Sequence, residues 1–302
     1  MRRSLVKAVL GGSVVALLLF WCTPAPDESA HRPDGLAAAI ASAMPPPPPA
    51  VAPTPEPAAP SPARPAPTSA PIPANSGIAS HGAANVQRWI TKPGQGEQPP
   101  AKTVFLTFDD GPAELTASIL DVLSAKQVRA TFFVSGSQAT KRPDLLRRTQ
   151  REGHAVAIHT FSHDYKELYP GRTGDTEAII ADYDKALAAV RAVLGDGYSP
   201  TAYRYPGGHM SWKGLAEADA ALAERGVHWI DWNAMTGDAE PPSRRPKSVD
   251  GAVAMATAGI ESGTSAIVVL AHDTRAGAIS LQALPRVIDT YRAAGYSFGI
   301  IS

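Results

Sequence analysis

Several separated stretches of the chain carry residue types that can do chemistry, and each is ambiguous by itself. Phe105-Leu-Thr-Phe-Asp109-Asp110-Gly-Pro112 puts two adjacent carboxylates at the end of an apolar run, and the Gly-Pro turn stops that run. Neighbouring aspartates repel, so a nearby cation is the natural resolution. Alone, an Asp-Asp-Gly turn is more often a solvated loop. Ile158-His159-Thr-Phe-Ser-His163 holds two imidazoles four residues apart, a spacing that can put both on one side. Neutral imidazoles suit Zn²⁺ and similar cations, and with one carboxylate they make three protein ligands, leaving a coordination position for water. In isolation, a pair of surface histidines is an equally good account.

Three further stretches add to these two. In Tyr203-Arg204-Tyr205-Pro206-Gly207-Gly208 the arginine can neutralise whichever aspartate does not bind metal, keeping it as a base, and Gly207 can bring its backbone N–H close to a developing oxyanion. The competing reading is a structural Pro-Gly-Gly turn, and His209 receives only a structural reading. Val268-Val-Leu270-Ala271-His272-Asp273 ends an apolar run on a histidine suited to donating a proton near neutral pH. Trp229-Ile-Asp231-Trp232 through Asp238 supplies two aspartates, either of which can orient and charge His272.

These residues need elements to position them. After Lys102, short apolar runs alternate with amphipathic stretches, the pattern of βα units with parallel strands. The runs predict strands over 103–108, 130–135, 155–160, 202–205, 227–232, 265–270 and 297–301. Helices are predicted over 114–125, 143–152, 176–194, 212–225, 248–261 and 279–294. Seven strands with six intervening helices suggest a barrel-like α/β fold, and the chemical residues fall just beyond strand C-termini, the rim where parallel barrels assemble their sites.

The remaining sequence bounds the rest. Most of the 29 prolines precede Pro112, as in Met44-PPPPPAVAPTPEPAAPSPARPAP, so residues 23–100 read as a Pro/Ala-rich disordered linker before a domain over 101–302. Val86 to Ile90 is the one stretch of that linker expected to dock on the domain. A net charge of zero gives no support for nucleic-acid binding. The single cysteine, Cys22, excludes a disulfide framework or thiolate cluster in the domain, so any metal must use His and carboxylates. Arg2, Arg3 and Lys7 before the apolar Ala8 to Trp21 read as an export signal. The run is short for a full span, which favours cleavage over an anchor formed by residues 5–22. The expected location is the periplasm or cell envelope, or outside the cell, with the protein a monomer.

Taken in order, Thr107-Phe-Asp-Asp-Gly-Pro112, His159-Thr-Phe-Ser-His163, Arg204-Tyr-Pro-Gly-Gly208, Trp232 through Asp238 and Leu270-Ala-His272 closely resemble the polysaccharide deacetylase family, the NodB-homology domain of carbohydrate esterase family 4. The resemblance covers residues 102–301 and implies a distorted (β/α)₇ barrel. It implies Asp109 as base, Asp110, His159 and His163 as ligands of one divalent metal, His272 as acid, Arg204 tuning Asp109, and Asp238 tuning His272. Zn²⁺ is the expected ion, with Co²⁺, Ni²⁺ and Mn²⁺ also compatible. Tyr205, Trp232 and Leu270 are expected to touch substrate. The family often has Trp after the last aspartate where this chain has Ala239, which alters one wall of the groove. The implied reaction removes acetyl groups from a glycan, with peptidoglycan ranked above chitin-like oligosaccharide or exopolysaccharide. A silent glycan-binding module and a small cyclic amidase are the alternatives. The first would have lost a base, ligand or acid, and the second sits poorly with export.

Overall fold

The computed structural model describes residues 79–302; the signal or anchor at 1–22 and most of the Pro/Ala-rich stretch lie outside the described residues. The chain opens with β1 (Ala79–His81) and α1 (Ala83–Thr91). It continues through β2 (Thr103–Asp109), α2 (Thr116–Ala125), β3 (Thr131–Ser135), α3 (Gly136–Lys141), α4 (Pro143–Arg151) and β4 (Ala155–Thr160). Next come α5 (Tyr165–Leu168), α6 (Thr176–Leu194), β5 (Ala202–Tyr203), α7 (Ala216–Glu224), β6 (His228–Trp229) and β7 (Ala234–Met235). The last elements are α8 (Val249–Thr257), β8 (Ala266–His272), α9 (Ala278–Ala293) and β9 (Ser297–Ile301).

The strand pairs are all parallel, and β2 is the hub. Its whole length pairs with β8, while its other edge meets β9 over the first half and β3 over the second. From β3 the order runs through β4 and β5 to β6, and from β8 to β7. Seven strands therefore curl into a ring that is unpaired between β6 and β7: a distorted (β/α)₇ barrel. The ring uses the two-residue β7 where the sequence suggests 297–301 as the seventh strand. That last strand lies instead along the lower half of β2, beside β1.

Strand alternation sorts the side chains into two cores. Val104, Leu106 and Phe108 of β2 face the helices, with Val156 and Ile158 of β4 and Ile267 and Val269 of β8. Phe105, Phe133, Ala157, Ala202, Ala266 and Val268 face the barrel interior, where Val86 and Trp89 of α1 join them. Trp89 is 4 % exposed, and its indole N–H donates to the Glu97 carbonyl at 2.7 Å. The stretch read as linker thus ends earlier than residue 100: β1 pairs with β9, and α1 buries its apolar side. Apolar burial outweighs the ordering cost of these few residues. Among the described residues, no helix is long and apolar enough to cross a membrane.

Candidate active site

The same alternation that points Phe105 inward carries Thr107 and Asp109 inward at the top of β2. Asp109 is in register with His272 of neighbouring β8. On β4 it brings His159 inward above Ala157, and after β5 it brings Arg204 inward above Ala202. Beyond Asp109 the backbone turns sharply, with Asp110 in the left-handed region at φ 75°. Glycine is required at the next position, because a Cβ on Gly111 would lie 2.0 Å from Asp273 Oδ2.

That turn aims Asp110 at two imidazoles. Its Oδ1 lies 3.4 Å from His159 Nε2 and 3.5 Å from His163 Nε2. The three candidate ligand atoms fall within 4.8 Å of one another. His159 Nδ1 donates to the Arg204 carbonyl at 2.7 Å, which leaves the Nε2 lone pair facing Asp110. His163 is also left-handed, φ 56°. Its N–H donates to Thr160 Oγ1, which in turn donates to the buried Asp182 at 2.6 Å; Asp182 also accepts the N–H groups of Phe161 and Ser162. Two ligand candidates in an uncommon backbone region, held by their surroundings, are a mark of a functional site.

The trio fits a divalent cation on its own chemistry. Asp110 Oδ1 is buried and has no hydrogen-bond donor, yet it faces two imidazole nitrogens, so a cation would satisfy all three atoms at once. Burial alone would raise Asp110, but His159, with help from His163 and His272, holds it well below the usual carboxylate range. Burial likewise opposes charging of His159, and the charge of Asp109 with that of Asp110 reverses the direction and pulls it up. His163 is pushed down, by burial first and then by His159.

Arg204 is fully buried in the barrel mouth. Its Nη1 donates to Asp109 Oδ1 at 2.7 Å and to Thr107 Oγ1 at 2.8 Å, and its Nε donates to the Ile230 carbonyl. The guanidinium lies 4.0 Å from the Phe133 ring centre and 5.6 Å from that of Trp232. Both partners of this ion pair are thereby desolvated and fixed in one geometry. Asp238 grips His272 twice, accepting from Nδ1 at 2.8 Å and from the backbone N–H at 2.9 Å, while Ser280 Oγ donates to it at 2.6 Å. Burial works against a charge on His272, yet the hydrogen bond and charge of Asp238, with the charges of Asp109 and Asp110, raise it to about 9.

Gly207 (φ 77°) turns the chain after β5, and the loop beyond it is tied down from several sides. Asp231 accepts the N–H groups of His209 and Met210, Trp212 Nε1 donates to the Pro206 carbonyl, and Ser211 Oγ donates to the Gly207 carbonyl.

Residues 96–224 match the family model described as polysaccharide deacetylase. A chitin deacetylase of Colletotrichum lindemuthianum is 30% identical over 198 residues, covering 64% of this chain and 75% of that protein. A peptidoglycan-N-acetylglucosamine deacetylase of Bacillus cereus is 29% identical over 202 residues, covering 65% and 68%. A solved Streptococcus mutans CE4 esterase superposes with a TM-score of 0.69 at 40% identity, over 75% of this chain and 93% of that one. The chain belongs to the polysaccharide deacetylase family. Its members are metal-dependent hydrolases of acetyl groups on glycans, and a carboxylate with two imidazoles at one rim is in keeping with that chemistry.

The deacetylase brings together at this rim Asp109, Asp110, His159, His163, Arg204, Asp238 and His272. Trp232 joins them half-buried, packed where a Cβ on Gly208 would lie 2.8 Å from its ring. Leu270 is nearly buried below His272. Tyr205 departs from expectation as a substrate contact. Alternation turns it away from Arg204 toward the helices, where it is fully buried and donates its hydroxyl to Asp219 Oδ1 at 2.9 Å. Of the two aspartates after β6, Asp238 meets His272 and Asp231 holds the Gly207 loop. Sequence reasoning missed the supporting carboxylates. Asp219 also pairs with His209 Nε2 at 2.8 Å, and Asp273 is fully buried, accepts from Thr116 Oγ1 at 2.5 Å, and is raised to about 7 by burial. Asp182 left a signal in the 3.6-residue pattern, since it interrupts the buried stripe Ile179, Tyr183, Ala186 and Val190 of α6.

Proposed function

We propose that this deacetylase hydrolyses N-acetyl groups on an amino-sugar polymer of the cell envelope, with peptidoglycan ahead of chitin-like oligosaccharide or exopolysaccharide. One observation carries the reading: an Asp-Arg pair, an Asp-His-His trio and a His-Asp pair share the inner rim of a single barrel. Asp110, His159 and His163 would hold one divalent cation, Zn²⁺ first, with Co²⁺, Ni²⁺ or Mn²⁺ as other ions this donor set suits. Such a cation, when bound, supplies Lewis acidity toward the acetyl carbonyl and makes water more acidic.

The protein's own groups supply the proton transfers. Asp109, oriented by Arg204, accepts a proton from the attacking water. The Gly207 N–H donates to the carbonyl oxygen as negative charge develops there. His272, oriented and charged by Asp238, gives its proton to the leaving nitrogen as the C–N bond breaks. The products are acetate and a free amine on the sugar. Trp232 and Leu270 line the approach to this centre.

The substrate ranking draws on the named activities of the Bacillus and Colletotrichum relatives, combined with an export signal at residues 1–22 and a Pro/Ala-rich spacer after it. The spacer would let the barrel work away from a membrane to which residues 5–22 hold it, or from which cleavage releases it, as a monomer. The test is acetate release by the purified protein from peptidoglycan and from N-acetylglucosamine oligomers, with and without a chelator. Chelator-sensitive release with the higher kcat/KM on peptidoglycan is expected. Release from neither glycan by the metal-loaded protein would overturn the reading.

A further inference from the structure

Among the described residues, the exposed large hydrophobic side chains are Tyr165, 43 % exposed, and Met210, 73 % exposed. Tyr165 opens α5 just after His163 of the candidate metal trio, and Met210 lies in the turn that follows Gly207. Apolar surface left open beside polar machinery marks a binding surface. The Tyr165 ring meets His163 edge-on at 5.1 Å between centres. A Cβ on Gly207 would lie 3.3 Å from both Tyr165 Cε1 and Trp212 Cζ2, so the two rings pack directly on that backbone.

The shelf is rigid. Trp212 is stacked on the buried Tyr169 at 4.0 Å and 9°, its N–H is held by the Pro206 carbonyl, and it backs Tyr165 at 5.4 Å. A fixed aromatic surface with polar groups at its edge suits a pyranose ring, which has an apolar C–H face and a rim of hydroxyls.

A cation completes the edge. Arg172 places its guanidinium 5.2 Å from the Trp212 ring centre and donates from Nη2 to the Ser211 carbonyl at 2.8 Å. It is exposed, as is Lys213, whose N–H donates to the Arg172 carbonyl. Arg172 forms no ion pair with a described residue, and neither does its neighbour Lys213, so the edge carries two uncompensated positive charges. An exposed arginine held over an aromatic ring, with only one of its donors used, is suited to a carboxylate on a ligand.

We propose that Tyr165, backed by Trp212 and accompanied by Met210, is the platform for the sugar next to the one that is deacetylated, and that Arg172 binds a carboxylate carried by that neighbouring sugar. This rests on the deacetylase reading above, and it names the substrate class: a glycan with an acidic substituent on the adjacent residue. The Gly207 turn joins platform and reaction centre, so occupation of one registers the strand in the other.

The test is steady-state acetate release by the metal-loaded full chain from two tetrasaccharides. One is neutral, of N-acetylglucosamine; the other alternates N-acetylglucosamine with N-acetylmuramic acid, whose lactyl groups carry carboxylates. Tyr165→Ala is expected to raise KM about tenfold on both with little change in kcat, the size of one lost aromatic contact. Arg172→Gln, which leaves the left-handed backbone at residue 172 no worse than before, is expected to raise KM roughly fivefold on the acidic glycan alone. It should also remove the salt dependence of that KM, a change that loss of structural support for Trp212 would not produce. Equal effects of Arg172→Gln on both glycans, or an unchanged KM in Tyr165→Ala, would overturn the proposal. Failure of the wild-type protein to release acetate from either glycan would instead sink the deacetylase reading on which it rests.

Discussion

Asp109 and His272 are side by side on neighbouring strands, yet each is committed to its own partner, Arg204 below and Asp238 behind. Their roles therefore separate in variants. Asp109→Asn keeps the size of the side chain and removes the proposed base, so kcat should fall by about 10²–10⁴. Asp238→Asn acts through the acid. A proton donor must be protonated, so kcat falls as pH rises through the pKa of His272, which Asp238 lifts above its ordinary value of about 6.5. The alkaline limb of the kcat profile should accordingly move to lower pH in Asp238→Asn, and an unmoved limb would contradict the assignment. The same raised pKa gives a contribution to stability that is complete below about pH 6.5 and is lost as pH rises through about 9. The residues that meet at the rim were legible because their types and spacing suit metal and proton chemistry. Tyr205 was misread because motif proximity ignored the two-residue period, which sends it and Arg204 to opposite faces. Asp273 acts on Thr116, 157 residues away, and Asp219 on Tyr205 and His209 across a turn, and no local pattern marks either.

At the scale of elements, helix α6 contributes to the site through one side chain, Asp182. Its Asp182 holds the turn between His159 and His163 through Thr160 and two backbone N–H groups. Asp182→Ala should weaken metal affinity by about 10–100-fold, as measured by calorimetric metal titration, because outer partners orient the ligands. Unchanged affinity would show that the turn holds itself. The turn at the end of β2 makes a second prediction: Gly111→Ala forces a Cβ onto the Asp273 carboxylate, and overpacking of this kind costs about 1–3 kcal/mol in thermal or denaturant unfolding. The strands β4 and β9 and the helix α6 were legible to the residue, the strands as short runs of mostly apolar residues and the helix as a buried stripe. The two-residue strands β5, β6 and β7 are set by barrel closure, which leaves little local imprint.

Over the whole molecule, the alternation of strand and helix announced the parallel barrel, and the comparisons with solved relatives bear out its class. Closure at the lower end was less legible. There α1, preceded by a Pro-rich stretch and followed by Gly and Pro, inserts Val86 and Trp89 against Phe105 and Val268. Trp89→Ala should therefore destabilise the domain by about 3–5 kcal/mol, read as a lowered Tm, although the residue is remote from the site. The central claim is that one cation held by Asp110, His159 and His163 works with Asp109 to remove acetyl groups. Its most direct test measures metal content and acetate release on the same preparations of wild type and Asp109→Asn. The account predicts one divalent ion per chain in both and release at least about a hundredfold slower in Asp109→Asn; undiminished release in Asp109→Asn, or in wild type stripped of metal, would contradict it.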